Sequence, residues 1–147
     1  MQDFSILPCV SHEPNWANSS DWALLEQLFG RAPTLSEVQL IGIRFHTAAP
    51  TVEMDVVISD SLEESSERMT VLATFTWTNV ESLSLEWSED AVIGIEFRKV
   101  SSGYRTEFIA PFEHRSHIIS GDVEVRLKKV DPLLDPDERH RIRIEYR

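Results

Sequence analysis

The sequence predicts an α+β fold dominated by strands: an antiparallel sheet, bent or folded into a sandwich, with one short N-terminal helix closing an open end or face. Three observations lead there. From Val38 onward apolar residues recur at every second position in run after run, the period of a half-buried strand. The connections between those runs are mostly short, which favours antiparallel neighbours. Only the stretch from Trp22 to Phe29 carries apolar residues at helical spacing. With 147 residues the chain has the length of one domain, residues 1–147, enough to bury roughly two-thirds of the surface that its unfolded form exposes.

Residues 1–17 read as an irregular arm, because Pro8 and Pro14 interrupt it and no period is sustained. A helix is expected over 19–30. Asn18, Ser19, Ser20 and Asp21 offer N-caps, Trp22, Leu25, Leu28 and Phe29 form one apolar face, Gly30 is a natural C′ residue, and Pro33 prevents continuation. The linker Arg31–Glu37 hands over to a mainly β region, 38–147. Its predicted strand faces are Ile41, Ile43 and Phe45; Val52, Met54, Val56 and Ile58; Met69, Val71, Ala73, Phe75 and Trp77; Leu83, Leu85 and Trp87 after a turn at Thr78-Asn79; Ile93, Ile95 and Phe97; Tyr104, Thr106 and Phe108; Val123, Val125 and Leu127; and Ile142, Ile144 and Tyr146. Thr47-Ala48-Ala49-Pro50 suits a hairpin, Ser101-Ser102-Gly103 a turn, and the segment containing Pro132 and Pro136 a long connection.

Charge and composition narrow the function classes. The formal net charge is −11. Residues 1–125 hold 7 basic and 20 acidic side chains, a balance of −13, whereas 126–147 hold 7 and 5, a balance of +2. Such a field repels nucleic acid and anionic lipid and attracts a basic protein. Cys9 is the single cysteine, so no intrachain disulfide forms, and a reducing compartment fits. The first residues lack the basic and apolar regions of a secretory signal, and no apolar run approaches the roughly 20 residues of a membrane span. The expected location is cytoplasmic, with neither nucleic acid nor membrane as partner.

No chemistry-bearing motif emerges. Glu113-His114-Arg115-Ser116-His117 lacks the His-Glu-x-x-His order and reads as a polar loop, while His12, His46 and His140 are isolated. There is no Gly-x-Ser-x-Gly elbow, no Walker loop and no dinucleotide fingerprint. The expectation is a non-enzyme without catalytic residues, metal or cofactor. Two acidic clusters stand out as a partner surface: Asp60, Glu63, Glu64 and Glu67 between the second and third runs, and Glu86, Glu89 and Asp90 between the fourth and fifth. Placed at one end of the sheet, they would steer a basic protein. Trp16, in the arm, is an added aromatic anchor. The alternating arginines of the terminal run read as edge-strand protection.

The stretch Leu28-Phe29-Gly30-Arg31-Ala32-Pro33-Thr34-Leu35-Ser36-Glu37-Val38-Gln39-Leu40 resembles the [Phe/Tyr]-Gly-x-x-Pro-[Ser/Thr]-[Phe/Leu]-x-[Asp/Glu] entry of the Imm50 family, immunity proteins of bacterial polymorphic toxin systems. Those proteins likewise begin with a tryptophan-containing short helix and continue as a strand-rich domain. The residues that carry the likeness are Trp22, Phe29, Gly30, Pro33 and Glu37, all structural; Ser36 departs from the position that is often histidine in the family. The resemblance implies a non-catalytic protein that binds and neutralises a cognate toxin by occlusion, and a basic toxin would suit the acidic surface. The alternatives are a small-ligand-binding β-domain with an internal pocket, or an assembly β-domain that uses an exposed strand edge, for which the arginine-bearing terminal strand is the candidate.

Overall fold

The computed structural model describes residues 21–47, 49–62, 67–86, 92–109, 115–131 and 143–146. They form one helix, α1 (Trp22–Phe29), and seven strands: β1 (Val38–His46), β2 (Thr51–Ser61), β3 (Arg68–Ser84), β4 (Val92–Val100), β5 (Gly103–Ile109), β6 (Arg115–Val130) and β7 (Arg143–Tyr146). All seven belong to one mixed, mostly antiparallel sheet in the order β2-β3-β6-β5-β4-β1-β7. Because β1 also pairs with β2, the first six strands close into a ring and β7 lies outside it. The ring is tightly laced where β1 meets β2, from Gln39 to His46, and narrowly closed where β1 meets β4, at Val38↔Ile93 and Gln39↔Val92. Beyond that point the Ile95 N–H donates to the Leu35 carbonyl at 2.8 Å, so the linker prolongs the closure.

The alternating faces meet inside this ring. Val52, Met54, Val56 and Ile58 from β2 face Val71, Ala73, Phe75 and Trp77 from β3, and each is at most 2% exposed. Trp77 packs edge-on against Phe108, with ring centroids 5.6 Å apart, and its Nε1–H donates to Thr106 Oγ1 at 2.8 Å, which explains a threonine in a fully buried position. From α1, Trp22, Leu25 and Phe29 enter the same core while Leu24 stays exposed. Burying side chains of this size contributes roughly 1.5–3 kcal/mol each. The helix begins at Asp21, whose carboxylate does not cap it. Asp21 instead bridges to β6: its N–H donates to the Val125 carbonyl at 2.7 Å, and its Oδ2 accepts the Leu127 N–H at 2.8 Å. Gly30, at φ 80°, terminates the helix in the left-handed conformation that glycine tolerates best.

Several sequence expectations are corrected. The third and fourth runs are one 17-residue strand, with no turn at Thr78-Asn79. Asn79 adopts φ 52°, the pairing with β6 slips between Val80 and Ser82, and a Cβ placed on Gly121 would lie 3.1 Å from that of Asn79. The polar, left-handed residue bends the strand without breaking it. In β1 the register shifts between Leu40 and Gly42, so the inward set is Val38, Leu40, Ile43 and Phe45 rather than Ile41, Ile43 and Phe45. Arg115, Ser116 and His117 open β6 and are not loop. The terminal strand β7 pairs with β1 in parallel, from Gly42↔Arg143 to Phe45↔Tyr146. The arm 1–17, Cys9, Trp87, Glu113, His114, His140 and Ile142 lie outside the described residues.

Candidate functional site

The helix-to-sheet linker is the most heavily engaged of the segments singled out in the sequence. Its path from Gly30 to Val38 is anchored by Asp60, near the end of β2. One carboxylate oxygen accepts the Thr34 N–H at 2.9 Å; the other accepts the Ser61 N–H at 2.8 Å and Arg31 Nη2 at 3.1 Å. Burial opposes the charge, but these three donors outweigh it and hold the carboxyl below the usual aspartate range. Asp60 is 6% exposed. Its acidity is directed inward, to the linker. Pro33 is buried, as are Trp22 and Phe29, while Glu37 is exposed.

Of the other acidic residues, Glu67 and Glu86 are exposed and described. The Glu67 carbonyl accepts the Leu62 N–H at 2.9 Å, closing the β2–β3 connection. Glu86 is held by its backbone: the Ser116 hydroxyl accepts its N–H at 2.5 Å and donates to its carbonyl at 2.6 Å. The buried serine thereby fixes the chain direction as it leaves β3. Of the described members, Glu67 directly precedes β3 and Glu86 closely follows it, so these two lie at opposite ends of that strand. Trp16, Glu63, Glu64, Glu89 and Asp90 lie outside the described residues.

A second polar constellation, on the outer face of β1, β2 and β3, was not singled out in the sequence. Arg44 makes a two-point contact with Asp55, Nη1 to Oδ2 at 2.6 Å and Nη2 to Oδ1 at 2.9 Å, and its Nε donates to Glu53 at 3.0 Å. His46 Nε2 lies 2.9 Å from the same Glu53 oxygen, and the Thr74 hydroxyl donates to Asp55 at 2.6 Å. The hydrogen bonds that Arg44 donates to Asp55 raise its pKa against the effect of burial. For Asp55, burial pulls the pKa up, and Arg44 and Thr74 more than reverse it; for Glu53, burial is likewise overcome, by His46 and Arg44. Each ionisable group here is engaged by another, so the network rivets three strands together. The signal was available in the antiparallel pairing of β1 with β2, which sets Arg44 opposite Glu53.

At one end of the ring Leu40, Met54, Leu85, Glu86, Ile93, Phe108 and Ser116 line a cavity of about 10 Å³, the space of roughly one water molecule. Among the described residues no group of three or more His, Cys, Asp or Glu is placed to hold a metal ion, and no helix is long and apolar enough to cross a membrane. Set against known proteins, the chain matches no family model, no curated protein and no solved structure.

Proposed function

We propose that this protein binds and neutralises a protein toxin by occluding it, with no chemistry of its own. The observation that carries the reading is the Leu28–Leu40 motif, with its likeness to the entry segment of Imm50-type immunity proteins. The charge supports it: a net −11 is suited to steering a basic partner into contact, and a few buried apolar anchors would then slow its departure. The partner surface is assigned to the exposed acids Glu67 and Glu86 and to the neighbouring Glu63, Glu64, Glu89 and Asp90, with Trp16 as an anchor. Asp60 is left out of that set, because its carboxylate is already committed to the linker. Cytoplasmic residence, beside the site where the toxin is made, belongs to the same proposal.

Co-expression with the toxin encoded beside it should restore growth and yield a complex that survives gel filtration. Survival no better than with empty vector would overturn the reading. A ligand-binding role would instead predict saturable uptake of small molecules, read by equilibrium dialysis.

A further inference from the structure

Unneutralised positive charge is unexpected on a chain of net −11, yet one face of the sheet collects it. Among the described residues, Arg31, Arg44, Arg98 and Arg105 each meet a carboxylate, and Lys99 lies over the Tyr104 ring. Arg68, Arg126, Lys128 and Lys129 are exposed and form no ion pair with the described acids. Arg68 donates only to the Ser59 carbonyl, at 3.0 Å, which leaves its charge uncompensated.

Strand geometry gathers these four cations. Met69, Val71, Ala73 and Phe75 turn toward the core, so Arg68, Leu72 and Thr74 share the outer face of β3. On β6, Arg126 stands opposite Thr74. Leu127 packs on the core and Lys128 turns outward; strict alternation would then send Lys129 back inside. It stays out because the pairing slips: Ala73 faces Leu127, while Leu72 faces Lys129. The bulge makes Lys128 the extra residue and keeps both lysines exposed on the face that carries Arg126. From Arg68 to the level of Thr74 the cations extend over roughly 20 Å.

We infer that this outer face of β3 and β6 is a docking surface for an extended acidic segment of a partner protein, with carboxylates at alternate positions. Side chains on one side of an extended chain recur about every 7 Å, which is also the interval between Leu72 and Thr74, opposite Lys129 and Arg126. Carboxylates two residues apart therefore reach Lys129 and Arg126 together, and one four residues beyond Lys129 meets Arg68. Asp55 cannot take that part. Lys128 helps to lower its pKa, but both its oxygens are held by Arg44 and Thr74. The surroundings select a short acidic peptide over nucleic acid. Glu67, Glu124 and Asp131 border the patch, and the rest of the chain is acidic, so a long phosphate backbone is repelled once it passes the four cations.

An NMR titration of the full chain with an acetylated octapeptide of alternating glutamate and threonine tests this. Saturable binding is expected at about 20 mM salt, with amide shifts centred on 68–74 and 126–130, and a loss of at least about tenfold in affinity by about 200 mM. R126E combined with K129E should weaken binding at least about tenfold, whereas R98E, which reverses an exposed cation on β4, should leave it within about twofold. Circular dichroism of each variant confirms that the fold is retained. An oligothymidylate of equal charge should bind more weakly. Absence of saturable binding at low salt would overturn the inference. So would binding indifferent to the double variant, equal sensitivity to R98E, or an oligothymidylate that binds as tightly as the peptide. No toxin enters the assay, so its outcome and that of the inhibitor reading are distinguishable.

Discussion

Asp60 and Thr106 show how differently two buried polar side chains can be legible. Asp60 sits among acids in the sequence and reads as part of a solvated cluster; nothing local reveals that the linker, 26 residues earlier, donates to it. Asp60→Ala should destabilise the protein by about 2–4 kcal/mol, by leaving the Thr34 and Ser61 N–H groups and Arg31 without their acceptor. Denaturant unfolding at neutral pH measures it. The three carboxylates Glu53, Asp55 and Asp60 all have folded-state pKa values below their ordinary ones. Their stabilisation is therefore complete above the unfolded values, near pH 4, and is lost as pH falls through the lower folded values. Thermal midpoints should be flat from pH 7 to about 5 and should drop progressively below about 4, with a shallower drop in the Asp60→Ala variant. Thr106, by contrast, falls on the inward face of an alternating run, and its burial was predicted; its partner was not. Thr106→Val should cost about 1–3 kcal/mol by stranding the Trp77 Nε1–H, and the double change with Trp77→Phe should cost less than the sum of the two singles.

At the level of elements, most inward faces could be read from period alone, because the second, third, fifth and sixth runs alternate cleanly and their apolar members are the core. What period could not show was continuity. Thr78-Asn79 looks like a turn because asparagine tolerates positive φ, and here that same tolerance bends a strand that remains paired on both sides of the bend. Nor does composition disclose the β1 register shift, which moves Leu40 inward in place of Ile41. The bend depends on close packing between strands. Gly103 has φ 147°, and a Cβ there would lie 2.2 Å from the Ser120 carbonyl oxygen and 2.8 Å from the Gly121 Cα. Gly103→Ala should therefore cost at least about 3 kcal/mol or prevent folding, whereas Gly121→Ala, meeting only the Asn79 side chain at 3.1 Å, should cost about 1 kcal/mol. Comparing the thermal midpoints of the two variants checks the order.

For the molecule as a whole, charge and architecture make separate demands. The acidic field acts at long range, so Glu67→Lys combined with Glu86→Lys should slow association with a basic toxin several-fold and flatten its dependence on salt, while leaving the thermal midpoint nearly unchanged. Stopped-flow association rates at two ionic strengths provide the check. Gly30→Val or Pro33→Ala should show the opposite pattern, lower stability with little change in the association rate of the folded fraction. The bridge from Asp21 to Val125 and Leu127 joins positions 104 and 106 residues apart. During synthesis the helix would therefore leave the ribosome long before its docking strand exists, and the ring cannot close until β6 is made to join β3 to β5. Contacts this remote in sequence imply slow folding, concentrated after the last quarter of the chain has emerged, and a window in which a chaperone would find the N-terminal half.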